Sequence, residues 1–91
     1  MGDLMEFSDE LWAEVGYITI SKNRSKVMKI LADGPKIPSQ IGNEAGIRTN
    51  HVSNNLRQLS DHGLVECINP NAKKGRLYRL TEKGKIVVEK I

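Results

Sequence analysis

Gly46-Ile47-Arg48-Thr49-Asn50-His51-Val52-Ser53-Asn54-Asn55-Leu56-Arg57-Gln58-Leu59-Ser60-Asp61-His62-Gly63-Leu64-Val65 is the stretch on which the reading of this 91-residue chain turns. Val52, Leu56 and Leu59 fall at i, i+4 and i+7 and so share one helical face. The opposite face carries Asn50, Asn54, Arg57 and Asp61, with Ser53 and Gln58 on its flanks. Amide, hydroxyl and guanidinium groups on one face, with a single carboxylate among them, are the groups that pair with base edges and phosphates in a DNA groove. The bland alternative is a polar face in solvent.

What precedes the stretch supports the first reading. Pro38 suits the first turn of a short helix, since its missing N–H is not needed there. Ile41 and Ala45 point inward and Gly46 ends that helix. A turn over 46–49 follows, with Ile47 as an apolar plug and Thr49 as the expected cap of the next helix. A short helix, a glycine-containing turn and a longer helix with a polar outer face make a helix-turn-helix. The second helix is expected over 49–62, ending at His62 and Gly63.

Beyond it, 64–69 reads as a strand, Pro70-Asn71-Ala72-Lys73-Lys74-Gly75 as a basic turn and 76–80 as a second strand with Tyr78 and Leu80 on one face. Together they form a hairpin, or wing. Thr81 caps a last helix over 82–91. Upstream, Ser21 caps a helix ending at Ala32, with Val27, Ile30 and Leu31 inward; Asp33-Gly34-Pro35 stops it, with Gly34 in the left-handed position after the cap.

The first helix, over 4–20, is capped within its length by Ser8. Leu4, Phe7, Leu11, Val15 and Ile18 make its apolar stripe, broadened by Trp12. That stripe is too apolar to face water. Packing on its own domain takes the inner part, and a second copy of the chain is expected on the outer part. Leu4, Phe7, Leu11, Trp12 and Val15 are the expected dimer contacts. The chain divides into 1–20, an acidic dimerisation element, and 21–91, the DNA-binding domain.

Charge follows the same division. The net charge is +3, yet residues 1–20 hold five acidic residues and no Lys or Arg, −5. Residues 21–91 carry all 14 basic residues against six acidic ones, +8. A basic body suits phosphate and an acidic arm is best kept from it. One cysteine, Cys67, allows no internal disulfide and reads as a buried small residue, so the cytoplasm is the default compartment. No apolar run is long enough to span a membrane. His51 and His62 lie about 16 Å apart along one helix and cannot share a metal. His62 fits the helix C-terminus, where positive charge is favoured. With no Gly-rich phosphate loop and no acid–base constellation, neither catalysis, a cofactor, a metal nor a small-molecule ligand is expected.

Two segments carry a family resemblance. Leu56-Arg57-Gln58-Leu59-Ser60-Asp61-His62-Gly63-Leu64-Val65 is similar to the LxxLxxxGLV signature that ends recognition helices in winged helix-turn-helix transcription regulators. Tyr78-Arg79-Leu80-Thr81-Glu82-Lys83-Gly84 resembles the YxLTxKG segment leaving the wing in the MarR- and ArsR-like groups. The likeness spans about 22–91 and is nearest to the small prokaryotic, often archaeal, kind. It departs from the groups in lacking long terminal helices, the ArsR cysteine pair and any attached ligand-binding domain.

The resemblance implies an α+β, mostly α fold: a three-helix core plus a two-stranded β-hairpin wing, with an extra N-terminal helix and a short C-terminal helix. It implies a homodimer that binds duplex DNA and represses transcription. Asn50, Asn54 and Arg57 are the candidate base readers, with His51 near the helix start; Arg48, Thr49 and Ser53 are candidate phosphate contacts. Lys73, Lys74 and Arg76 would reach a minor groove or flanking phosphates from the wing. A protein-interaction module inside a transcription or replication assembly is the alternative, and RNA binding a third.

Overall fold

The structure, a computed structural model, describes residues 7–91; Leu4 of the expected dimer stripe lies outside them. The element order is α1 (Asp9–Thr19), α2 (Lys22–Leu31), α3 (Pro38–Ala45), α4 (Thr49–Asp61), β1 (Val65–Cys67), β2 (Tyr78–Leu80) and α5 (Glu82–Val88). This is the expected winged helix-turn-helix: α2, α3 and α4 pack together, the β1–β2 hairpin is the wing, and α1 and α5 close the far side.

Local chemistry sets the helix starts. Ser8 and Ser21 accept from the backbone N–H three residues on, Leu11 N at 3.2 Å and Arg24 N at 3.3 Å, which satisfies a donor the helix cannot use internally. Pro38 opens α3 at its first position, and Gln40 Oε1 accepts from Ile37 N at 3.1 Å. Gly46 closes α3 at φ 72°, ψ 34°, a left-handed conformation that costs glycine little. Thr81 serves twice: its hydroxyl donates to Gly63 O at 2.6 Å and accepts from Gly84 N at 3.0 Å, tying the end of the α4 turn to the start of α5.

The strands run antiparallel with Val65 opposite Leu80, Glu66 opposite Arg79 and Cys67 opposite Tyr78. A third backbone segment joins them: Lys36 N donates to Tyr78 O at 3.0 Å and Tyr78 N to Lys36 O at 2.9 Å. The α2–α3 connection therefore holds the root of the wing.

One core fills the space between these elements. Ile18, Val27, Met28, Ile41, Val52, Leu56, Leu59, Leu64 and Val87 are fully buried, each such aliphatic side chain contributing about 1.5–3 kcal/mol of transfer free energy.

Several expectations need correction. Thr49 is not the cap of α4: Arg48 takes the extended cap conformation with no side-chain bond, and Thr49 is the first helical residue. In α2 the buried face is Val27, Met28 and Leu31, with Ile30 only half-buried, because the stripe is set by what α3 and α4 cover. Gly34 has φ 139° and lies one residue beyond the position following the cap at Ala32. Both strands are three residues long, shorter than 64–69 and 76–80, and α5 ends at Val88. Cys67 is half-buried. Val15 is turned into this domain's own core together with Ile18, so it is not on the outer face of α1.

Candidate nucleic-acid interface

Helix α4 buries Val52, Asn55, Leu56 and Leu59 and leaves Thr49, Asn50, His51, Ser53, Asn54, Arg57, Gln58 and Asp61 exposed. Three apolar anchors hold the helix on α2 and α3, so the polar face points outward. Asn55, 8% exposed, is the one buried polar residue of the core face. Its Nδ2 donates to His51 O at 2.9 Å, which satisfies the amide within its own helix.

The wing and the helix-turn-helix share a groove. Pro38 and Ser39 of α3, Thr49, Ser53 and Arg57 of α4, and Lys73, Lys74, Gly75 and Arg76 of the wing line it, with Ile37 and Tyr78 at its root. Four of these side chains are cations and none is a carboxylate. The structure thus brings together six of the ten residues expected to meet DNA: Thr49, Ser53, Arg57, Lys73, Lys74 and Arg76. Arg48, Asn50, His51 and Asn54 are exposed but lie outside the groove lining.

Three of the expected contacts, Asn54, Arg57 and Arg76, also have partners within the protein. An Arg57 guanidinium N–H donates to Asn54 Oδ1, one turn earlier on the same face. The Asn54 amide oxygen is therefore occupied by the neighbour while its N–H groups stay free. Arg76 Nε donates to Ala72 O at 2.9 Å across the wing tip, so only its terminal nitrogens are left to reach outward.

Sequence reasoning missed the far end of α4. Glu14 of α1 accepts from His62 Nδ1 at 2.7 Å and from Lys83 Nζ of α5 at 2.8 Å. A carboxylate only accepts, so Nδ1 carries the His62 proton. Burial pushes the Glu14 carboxyl up, but the hydrogen bonds and charges of Lys83 and His62 outweigh it and hold the group below its ordinary value. The His62 ring stacks on Tyr17 with centroids 3.8 Å apart, and the Arg24 guanidinium lies 3.9 Å from the Tyr17 centroid. One ring face cannot hold both at that distance, so they sandwich Tyr17. Arg24 also donates to Tyr17 O at 2.8 Å and to Gln58 Oε1 of α4 at 3.3 Å. Glu14 and Lys83 are 69 residues apart and gave no local signal. The tyrosine and histidine could have been suggested only by knowing that α1 crosses the end of α4.

On the outer face of α1, Trp12 is 52% exposed and meets Phe7 edge-on with centroids 4.7 Å apart. Lys90 Nζ stands 5.3 Å from the Phe7 centroid and 6.0 Å from that of Trp12. Ile86, one turn before Lys90, is also exposed. Leu11 is partly buried against the core. Among the described residues no three His, Cys, Asp or Glu side chains converge, and no helix is long and apolar enough to cross a membrane.

A basic groove between an outward-facing helix and a hairpin wing, on a three-helix scaffold, defines a winged helix-turn-helix regulator domain. More narrowly, residues 13–91 match the family described as the N-terminal domain of the methanogenesis regulatory protein FilR1, and the chain belongs to that family. Solved structures agree on the fold. The homodimeric winged helix-turn-helix DNA-binding domain Mb0332 of Mycobacterium bovis, a possible ArsR-family transcriptional regulator, is 25% identical at a TM-score of 0.71, over 88% of this chain and 73% of that one. The MarR family regulator NMB1585 of Neisseria meningitidis is 27% identical at a TM-score of 0.70, over 82% and 54%. Lactococcus lactis ZitR shares the fold at 21% identity and a TM-score of 0.69, over 98% and 61%. The chain thus spans little more than half of the NMB1585 and ZitR chains. No curated protein matches it.

Proposed function

We propose that this chain is a sequence-specific, duplex-DNA-binding transcription regulator that acts as a homodimer in the cytoplasm and represses by occupying its site. In this reading α4 enters the major groove with Asn50, His51, Asn54 and Arg57 toward base edges. Arg48, Thr49 and Ser53 meet the backbone beside it. Wing residues 70–76 lie on the flanking minor groove or phosphates through Lys73, Lys74 and Arg76. It binds rather than catalyses, and needs no cofactor.

The observation that carries the reading is the shared groove: four cations from two elements face one concave surface without a lining carboxylate. Nothing in the packing of the core requires them there. Dimerisation through α1 is supported by the exposed Trp12, edge-on to the half-buried Phe7 and beside Ile86 and Lys90, with the first helix keeping its acidic side from DNA. The homodimeric state of Mb0332 points the same way.

The test is a salt titration of duplex binding. Phosphate-borne affinity falls on a log–log plot with a slope of about −0.9 per contact. Binding that ignores salt, or no binding to any duplex, overturns the reading. If Arg57→Ala and Lys73→Ala leave regulation intact while changes at Trp12 abolish it, the chain is an interaction module instead.

A further inference from the structure

The wing tip is the part of the groove with least backbone support. Past Cys67 opposite Tyr78, the last ladder bond runs from Ile68 N to Leu77 O at 2.9 Å. Between them the chain makes an eight-residue excursion, 69–76, that carries Lys73 and Lys74. A loop of this length with exposed long side chains samples many poses, and ordering it on a ligand costs free energy.

One side chain counters this. Asn69 Oδ1 accepts from Leu77 N at 2.7 Å and, more weakly, from Cys67 Sγ at 3.5 Å. Asn69 Nδ2 donates to Gly75 O at 3.1 Å. Leu77 N can only donate and Gly75 O can only accept, so the amide has one orientation that satisfies both. Asn69 O meanwhile accepts from Ala72 N at 3.0 Å. One residue thus grips the loop at its start, its middle and its return, and Arg76 Nε adds the brace to Ala72 O. The amide is not a contact in the groove, since Asn69 is not among its lining residues. It is half-buried beneath the tip.

Resting on the DNA reading above, we propose that Asn69 is the positioning residue of the wing. Its amide clasp holds the Lys73–Lys74 tip at the mouth of the groove before DNA arrives, so that the wing cations meet the duplex without a prior ordering step. Asn69 touches no nucleic acid. It acts through Lys73 and Lys74.

The experiment is a double-mutant cycle on the full chain, read by binding to a labelled, random-sequence duplex. Asn69→Ala is expected to weaken binding roughly three- to tenfold, the cost of ordering one or two side chains and their loop. In a Lys73→Ala/Lys74→Ala background the same change is expected to have a much smaller effect, because only Arg76, braced separately to Ala72 O, is left for it to position. The salt slope separates the roles further: the double lysine variant loses about 0.9 per phosphate contact, whereas Asn69→Ala keeps the wild-type slope. Amide exchange gives a readout apart from DNA. The Leu77 N–H exchanges faster in Asn69→Ala while the Leu59 and Val87 amides stay protected, which also shows that the variant is folded. An equal loss in both backgrounds, or unchanged Leu77 exchange, overturns the positioning role alone. Wild-type protein that binds no duplex overturns the DNA reading, and the positioning role with it.

Discussion

The Glu14 carboxylate lies 2.7 Å from His62 Nδ1, joining the middle of the first helix to the residue that ends α4. With Lys83 on its second oxygen and Tyr17 beneath the His62 ring, this bond ties the middle of α1 to the end of α4 and the start of α5. The face that would pair two copies and the face that would read DNA are thus parts of one rigid body.

That bond makes a pH prediction. Because Lys83 and His62 hold the folded Glu14 carboxyl below its ordinary value of 4.5, the charged form stabilises the fold above that value. The contribution is lost as pH falls through the ordinary value and on through the lowered one. The difference in Tm between wild type and Glu14→Gln is therefore expected to be present above about pH 5 and to shrink on acidification below it. A difference that is constant with pH contradicts the assignment.

Two glycines separate crowding from backbone strain. A Cβ on Gly84 would come within 2.1 Å of Leu64 O, a backbone atom that cannot turn aside. Gly84→Ala is expected to cost about 3 kcal/mol or more and to lower Tm by more than 10 °C or so, as α5 is forced off the strand. Gly46 has nothing within 4 Å but sits at φ 72°. Gly46→Ala is expected to cost about 1–2 kcal/mol, and Gly46→Asn less, because asparagine tolerates that conformation. Thermal melts of the three variants check the order.

Trp12→Asp places a charge on the outer face of α1 without touching the core. It is expected to yield a monomer of unchanged helicity by sedimentation and circular dichroism. An unchanged mass refutes the placement of the interface on this helix.

At the reading face, Arg57→Ala removes a groove cation and frees the Asn54 oxygen at once. Affinity for a selected operator is expected to fall by about 1–3 kcal/mol, with relaxed preference at one base pair. Ser53→Ala, at a proposed backbone contact in the same groove, is expected to weaken all duplexes alike. Binding to a panel of single-base operator variants distinguishes the two patterns.

The elements were legible because their signals are local. Ser8, Ser21, Pro38, Gly46 and Thr81 each act on neighbours within a few residues, and each stands where its chemistry directs. Thr49 failed as a cap because a threonine after Arg48 fits either the cap or the first turn, and the Gly46–Ile47 turn selects the second. Met28 displaced Ile30 from the core because a stripe can rotate by one residue until the partner helices choose. At the site, the sequence supplied the cations but not their meeting place. The groove exists because the hairpin folds back beside α4, and Ser39 and Asn69 acquire places only with that, as Glu14 and Tyr17 do only where α1 crosses the end of α4.

The exchange of backbone hydrogen bonds between Lys36 and Tyr78 has a consequence for how such a domain diversifies. Because the connection after α2 is stitched to the wing's return strand, its length sets the angle at which the hairpin leaves the body. Inserting or deleting one residue between Ala32 and Pro38 would reverse which side of that stitch Lys36 presents and tilt the tip relative to α4. The linker would then act as a tuning screw for groove width. Operator preference could drift through changes in loop length while every residue on the reading face stayed the same.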